Sequence, residues 1–337
     1  MPGCTVRAPG RRGAGAHGVR AARCGVPMCR GTGPVGVGLP LPRRCPYRGR
    51  VTDLLSTSRS DLTPEELVAS AGEVLTRYDH RTQDSGNVSW LVSTPAGDLF
   101  VKCAGEEEPP PGTAPPYPDR PARVELLRSA IAIARSVDHP ALARLRNVIE
   151  TPRGPALVYD RAPGELVGVP ARVREDPESP YRRFATAPPE RRLAVLDQLV
   201  DAHRALEEAG WVACDLYDGC LMVDLGTGRL TLIDLDTYRR GPSTNDMGRM
   251  FGSSRFMAPE EFVLGAPLDA RTTVFTLGRL LRHFGTGLSE DLGRFCGGAA
   301  AAAVVERATR PDRAERFADV AELTAAWRAA RGSGPGL

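Results

Sequence analysis

Apolar residues recur at helical spacing in three stretches of this chain and at strand spacing in six. Thr63 to Leu75 reads as a helix, because Thr63 precedes Pro64, Glu66 follows three positions on as in a capping box, and Leu67 and Val68 open an apolar face. Val88 to Val92 and Asp98 to Val101 are strand-like runs joined by Thr94, Pro95, Ala96 and Gly97, which predicts a hairpin. Glu106 to Asp119 is acidic, then proline-rich, and reads as a loop. Ala122 to Val137 resumes a helical pattern, and Arg146 to Glu150 and Ala156 to Tyr159 add two strands around a Pro-Arg-Gly turn. Glu190 to Ala209 is an amphipathic helix that stops at Gly210. Leu221 to Val223 and Leu230 to Ile233 then pair across Gly226, Thr227 and Gly228.

Met1 to Arg50 stands apart. It holds ten arginines and no acidic residue among glycines and prolines, and we read it as disordered, with Val51 a candidate for the true start. A functional tail that meets nucleic acid or an anionic membrane is the alternative. Without these residues the formal charge of +3 becomes −7, so the basic balance belongs to the tail. We therefore expect no nucleic-acid and no membrane partner for the domain. The cysteines show no paired spacing for zinc and no disulfide framework, and a cytoplasmic location is expected.

Lys102 ends a predicted strand and is the single lysine among 44 basic residues. Its compact ammonium on a slim stem suits a cramped phosphate contact better than the wide fork of arginine. The second hairpin brings the loop Asp215 to Cys220 beside Asp234, so two carboxylates converge there.

Several of these segments resemble protein kinases. Leu99-Phe100-Val101-Lys102 is similar to the Val-Ala-Ile-Lys strand, Ile233-Asp234-Leu235-Asp236 to the Asp-Phe-Gly element, and Gly252 to Glu260 to the Ala-Pro-Glu end of an activation segment. The resemblance implies an α+β bilobal fold. The divisions would be a tail (1–50), a helical extension (51–77), an N-lobe of antiparallel sheet plus one long helix (78–162), a mainly helical C-lobe (163–330) and a short tail (331–337). It implies ATP with Mg2+ or Mn2+ as cofactors and a protein substrate phosphorylated on Ser or Thr. Lys102 would hold phosphate and Asp215 would be the catalytic base. Gly86 and Ser89 would form a degenerate phosphate loop in which Asp84 replaces a glycine. Asp160 and Ala162 would pair with adenine beside a gatekeeper, Tyr159. Glu125 is the candidate partner for Lys102, and Asp234, with Asp236 and Asp218, would hold metal. Glu260 and Arg316 would form a buried ion pair. Tyr217 and Cys220 stand where the family has lysine and asparagine, which keeps a pseudokinase open, and Ile-Asp-x-acid is shared with small-molecule kinases of the aminoglycoside and choline type.

Overall fold

A computed structural model describes residues 51–82, 85–107 and 118–332, all within a unit running from Gly49 to Leu337. The expected tail at 1–50, Asp84, and most of the 331–337 segment lie outside the described residues. The chain is α+β: a five-stranded antiparallel sheet comes first and a helical part follows.

Helix α1 (Pro64–Ala71) begins at the capping box that the sequence predicts, Thr63 accepting from the Glu66 amide and the Glu66 carboxylate from that of Thr63. The predicted end at Leu75 is corrected: α1 stops at Ala71, and Glu73–Tyr78 is strand β1. All six residues of β1 are exposed, so the strand has no buried face to print an alternating pattern on the sequence. Strands β2 (Val88–Thr94), β3 (Gly97–Cys103), β4 (Leu145–Thr151) and β5 (Gly154–Asp160) complete the sheet in the order β1-β2-β3-β5-β4. Helix α2 (Arg120–Ser136) lies between β3 and β4 in sequence, capped by the Asp119 side chain on the Ala122 amide.

The period of two in a strand sorts side chains to opposite faces. On β3, Leu99, Val101 and Cys103 join Leu67 and Val68 of α1 in one apolar cluster. On β5, Leu157 and Tyr159 face the other way, toward Leu127 and Ile131 of α2. Burying a Leu or Ile side chain contributes about 1.5–3 kcal/mol, so the two helices clamp the sheet from both sides. The sheet margins differ. Along β4, Ser60 donates to the Glu150 carbonyl and the Glu150 amide to Ser58, whereas the outer side of β1 pairs with nothing among the described residues.

Beyond the sheet come β6 (Glu165–Leu166), α3 (Pro180–Thr186), α4 (Pro189–Glu208), β7 (Trp211–Val212), β8 (Leu221–Asp224) and β9 (Arg229–Leu232). They are followed by β10 (Arg239–Arg240), β11 (Ser243–Thr244), β12 (Pro267–Leu268), α5 (Ala270–Gly285), α6 (Gly298–Ala308) and α7 (Val320–Gly332). A core including Phe184, Leu199, Leu281 and Trp327 unites α3 to α7. No helix among the described residues is long and apolar enough to cross a membrane.

Candidate functional site

Lys102 sits on β3, the middle strand, between Ser89 of β2 and Leu157 of β5. It shares the face of Leu157, so it points away from the α1 side. Just beyond it the chain is stapled by Arg123 of α2, whose guanidinium donates to the carbonyls of Ala104, Glu106 and Pro118. The Lys102 ammonium donates to Asp236 Oδ2 at 2.8 Å and to Asp234 Oδ1. Its side chain is 13% exposed, against 7% for Asp236 and 46% for Asp234. Burial alone lowers the Lys102 pKa, but the two carboxylates outweigh it and hold it above the ordinary lysine value. Lys102 holds Asp234 below the usual carboxylate range, and burial pushes Asp236 above it.

The two acids of the predicted convergence are tied to one hairpin. Leu221 pairs with Leu232 at its open end, and the Ile233 amide donates to the Cys220 carbonyl at 3.0 Å. The Cys220 thiol donates to the Asp215 carbonyl at 3.3 Å, and the Thr237 hydroxyl to the Cys214 carbonyl at 2.9 Å. The loop and the segment after β9 are thereby laced together on both sides of Asp215. Asp215 (φ 59°) and Asp234 (φ 62°) are two of only four described non-glycine residues with positive φ. A left-handed conformation costs an L-residue on the order of 1 kcal/mol, and such strain gathers at functional sites. The Asp215 carboxylate also lies against Gly252: a Cβ on that glycine would stand 3.5 Å from Asp215 Oδ1.

Three sequence expectations are corrected. Glu125 does not meet Lys102; its carboxylate is 77% exposed and faces Arg128 at 4.0 Å. Three and four positions on from it stand Arg128 and Ser129, and α2 holds no other acid that could replace it. Asp218 does not join Asp234 and Asp236: it is buried, and both its oxygens lie 2.8 Å from Arg255 Nη2. Ser89 is no loop residue, since it pairs with both Tyr78 and Lys102 inside the sheet, so its backbone is committed to the ladder. Gly86 does lie in the β1–β2 connection, with φ 76° and its carbonyl packed on Gly105.

Asp160 and Ala162 stand where β5 leaves the sheet. The Asp160 amide donates to the Arg144 carbonyl and its side chain pairs with Arg146 at 2.8 Å. Tyr159 is held above its usual pKa by burial, in the field of Lys102 and Asp236. The Tyr217 ring folds back on its own loop, so that a Cβ on Gly219 would stand 2.3 Å from it. Burial pushes the Cys220 thiol far up, and its soft sulfur is a poor ligand for a hard cation. Among the described residues, no three or more His, Cys, Asp or Glu side chains form a metal cluster.

The ion pair between Glu260 and Arg316 is present at 2.8 and 3.1 Å. Sequence reading missed Arg255 and Arg123, because each engages partners through tertiary contacts that no local spacing announces. Compared with known proteins, the sequence matches no family model and no curated protein.

Proposed function

We propose that this chain is a protein-kinase-like phosphotransferase that moves the γ-phosphate of ATP to a Ser or Thr hydroxyl of a protein. One observation carries the reading: the only lysine of the chain, on the middle strand of the sheet, meets Asp234 at the mouth of the hairpin that also anchors Asp215. In this reading the sheet with α2 is the N-lobe and the helical part the C-lobe.

Lys102 supplies a fixed positive point charge to phosphate oxygens at the foot of the sheet. Asp215, strained and braced by Cys220, accepts the proton of the substrate hydroxyl beside the Gly252 backbone. Gly252, with a φ of 128°, brings its backbone close to Asp215 and Met257, and Glu260 with Arg316 fastens the segment that bears it. Magnesium fits the donor set: it binds through one or two carboxylates plus substrate phosphates and retained waters, and the half-exposed Asp234 is such a carboxylate. When bound, the ion would neutralise phosphate charge in the transition state.

A second reading, nucleotide binding without transfer, draws on Cys220, whose soft sulfur is a poor ligand for a second magnesium ion. Incubation with labelled ATP and magnesium or manganese separates the two. Label transfer by the wild type that is lost in Lys102→Ala and Asp234→Ala supports phosphotransfer; equal label on all three leaves only a scaffold.

A further inference from the structure

The lysine of a phosphate site needs a permanent counter-ion, because a buried ammonium without one is strongly disfavoured. The helix α2 does not provide it here, since Glu125 is turned to solvent against Arg128. Leu126 and Ser129 of α2 line, together with Asp236, a cavity of about 110 Å³. Neither is acidic. Two carboxylates remain, and their settings differ: Asp236 is nearly enclosed and Asp234 is half open. The backbone on either side of Asp236 is pinned, the Tyr238 amide donating to the Leu235 carbonyl and the Thr237 hydroxyl to the Cys214 carbonyl.

We propose that Asp236 is the standing counter-ion of Lys102, a positioning residue that holds the ammonium over the phosphates and leaves Asp234 free for the metal. The proposal rests on the nucleotide reading given above and deepens it. It replaces the sequence expectation that Asp236 is itself a metal ligand. A cation that keeps several waters needs open space, and the Asp236 carboxylate has almost none and already spends one oxygen on Lys102. If both acids went to the metal, Lys102 would be left buried with no partner among the acids it now contacts.

Because Lys102 is the only lysine, its reactivity can be followed alone. The full chain is treated with an amine-acylating ester at one fixed pH, and the peptide bearing Lys102 is quantified by mass spectrometry. Asp236→Asn should speed acylation about tenfold, the size of one lost charge-assisted hydrogen bond. Asp236→Glu should stay slow, and Glu125→Gln should match the wild type. Magnesium titrated against a fixed ATP concentration should protect Asp236→Asn at the same half-saturating magnesium as the wild type, while Asp234→Asn should need more. Wild-type acylation rates in Asp236→Asn, or a magnesium requirement raised as in Asp234→Asn, would overturn the proposal. If Mg·ATP protects no variant, the wild type included, the nucleotide reading fails, and the acylation rates still decide the ion pair. Thermal melts establish that each variant is folded.

Discussion

Two charge clusters in this chain are built on opposite terms. Around the single acid Glu260, Arg316 meets it directly and a second cation, Arg313, stands at 3.8 Å; Arg316 Nε donates to the Arg310 carbonyl, and its terminal nitrogens to Glu260 and to the carbonyls of Arg271 and Pro311, with Phe275 4.7 Å from the guanidinium. The Thr272 hydroxyl adds a bond to Glu260. Around Lys102, one cation faces two acids, one of them half exposed and strained at its backbone. A saturated pair has nothing left to offer a ligand. An excess of acid at an open edge has, so the first cluster reads as a fastener and the second as a place kept for something that arrives.

The contrast can be broken by substitution, and the largest effect is expected at the fastener. Arg316→Met takes both close guanidinium bonds from the buried Glu260, leaving it Arg313 at 3.8 Å and the Thr272 hydroxyl, and should remove about 3–5 kcal/mol of stability. Urea unfolding would register it as a lower midpoint at unchanged slope. A shift no larger than that of a surface variant would mean that the pair contributes no more than an exposed one.

Glu261, the neighbour of Glu260, sharpens the point, for it is buried with the Ala258 amide as its hydrogen-bond donor and no ion-pair partner among the described residues. Burial raises it from 4.5 to about 7. Between those values the folded protein keeps a proton that the unfolded chain has released, so this group's contribution to stability falls as pH rises from about 4.5 to 7, by about 3 kcal/mol. His203 tilts the other way. Burial lowers it to about 4, so its contribution to stability grows between there and its usual 6.5. The readout is therefore the difference between wild type and Glu261→Gln across that range, and a difference that does not change with pH would refute the assignment.

At the open cluster, function and stability should part company. Lys102→Ala should lower phosphotransfer about 100-fold or more, a transition-state loss of about 2.7 kcal/mol, while its urea midpoint moves less than that of Arg316→Met. The smallest effect is expected at Glu125→Gln: no change in transfer and none in stability beyond about 0.5 kcal/mol, as for an exposed residue. A clear loss of transfer there would return Glu125 to the site.

The sequence announced features whose cause is local or whose residue type is singular. Thr63 and Glu66 declared their cap three residues apart, and the solitary lysine drew attention to its strand. The Glu260–Arg316 pair, 56 positions apart, is legible only through a resemblance. What stayed hidden was tertiary. Asp236 reaches Lys102 across 134 residues, and Arg255 claims Asp218 across 37, with no spacing rule to reveal either. Glu125 misled because a lone glutamate on a helix looks purposeful until the helix's rotation about its axis is known. Strand β1 escaped notice because exposure on both sides leaves no alternation to read.

That same strand has a consequence for assembly. The margin at β4 is closed by residues 58–60, but β1 exposes Val74, Leu75 and Tyr78 along a border that pairs with no other strand among the described residues. Any growth of the sheet must start there. The irregularity between Val74 and Thr76 throws the border out of step at its centre. An incoming strand would find only Thr76 to Tyr78 in uninterrupted register, too short a run to template a fibre.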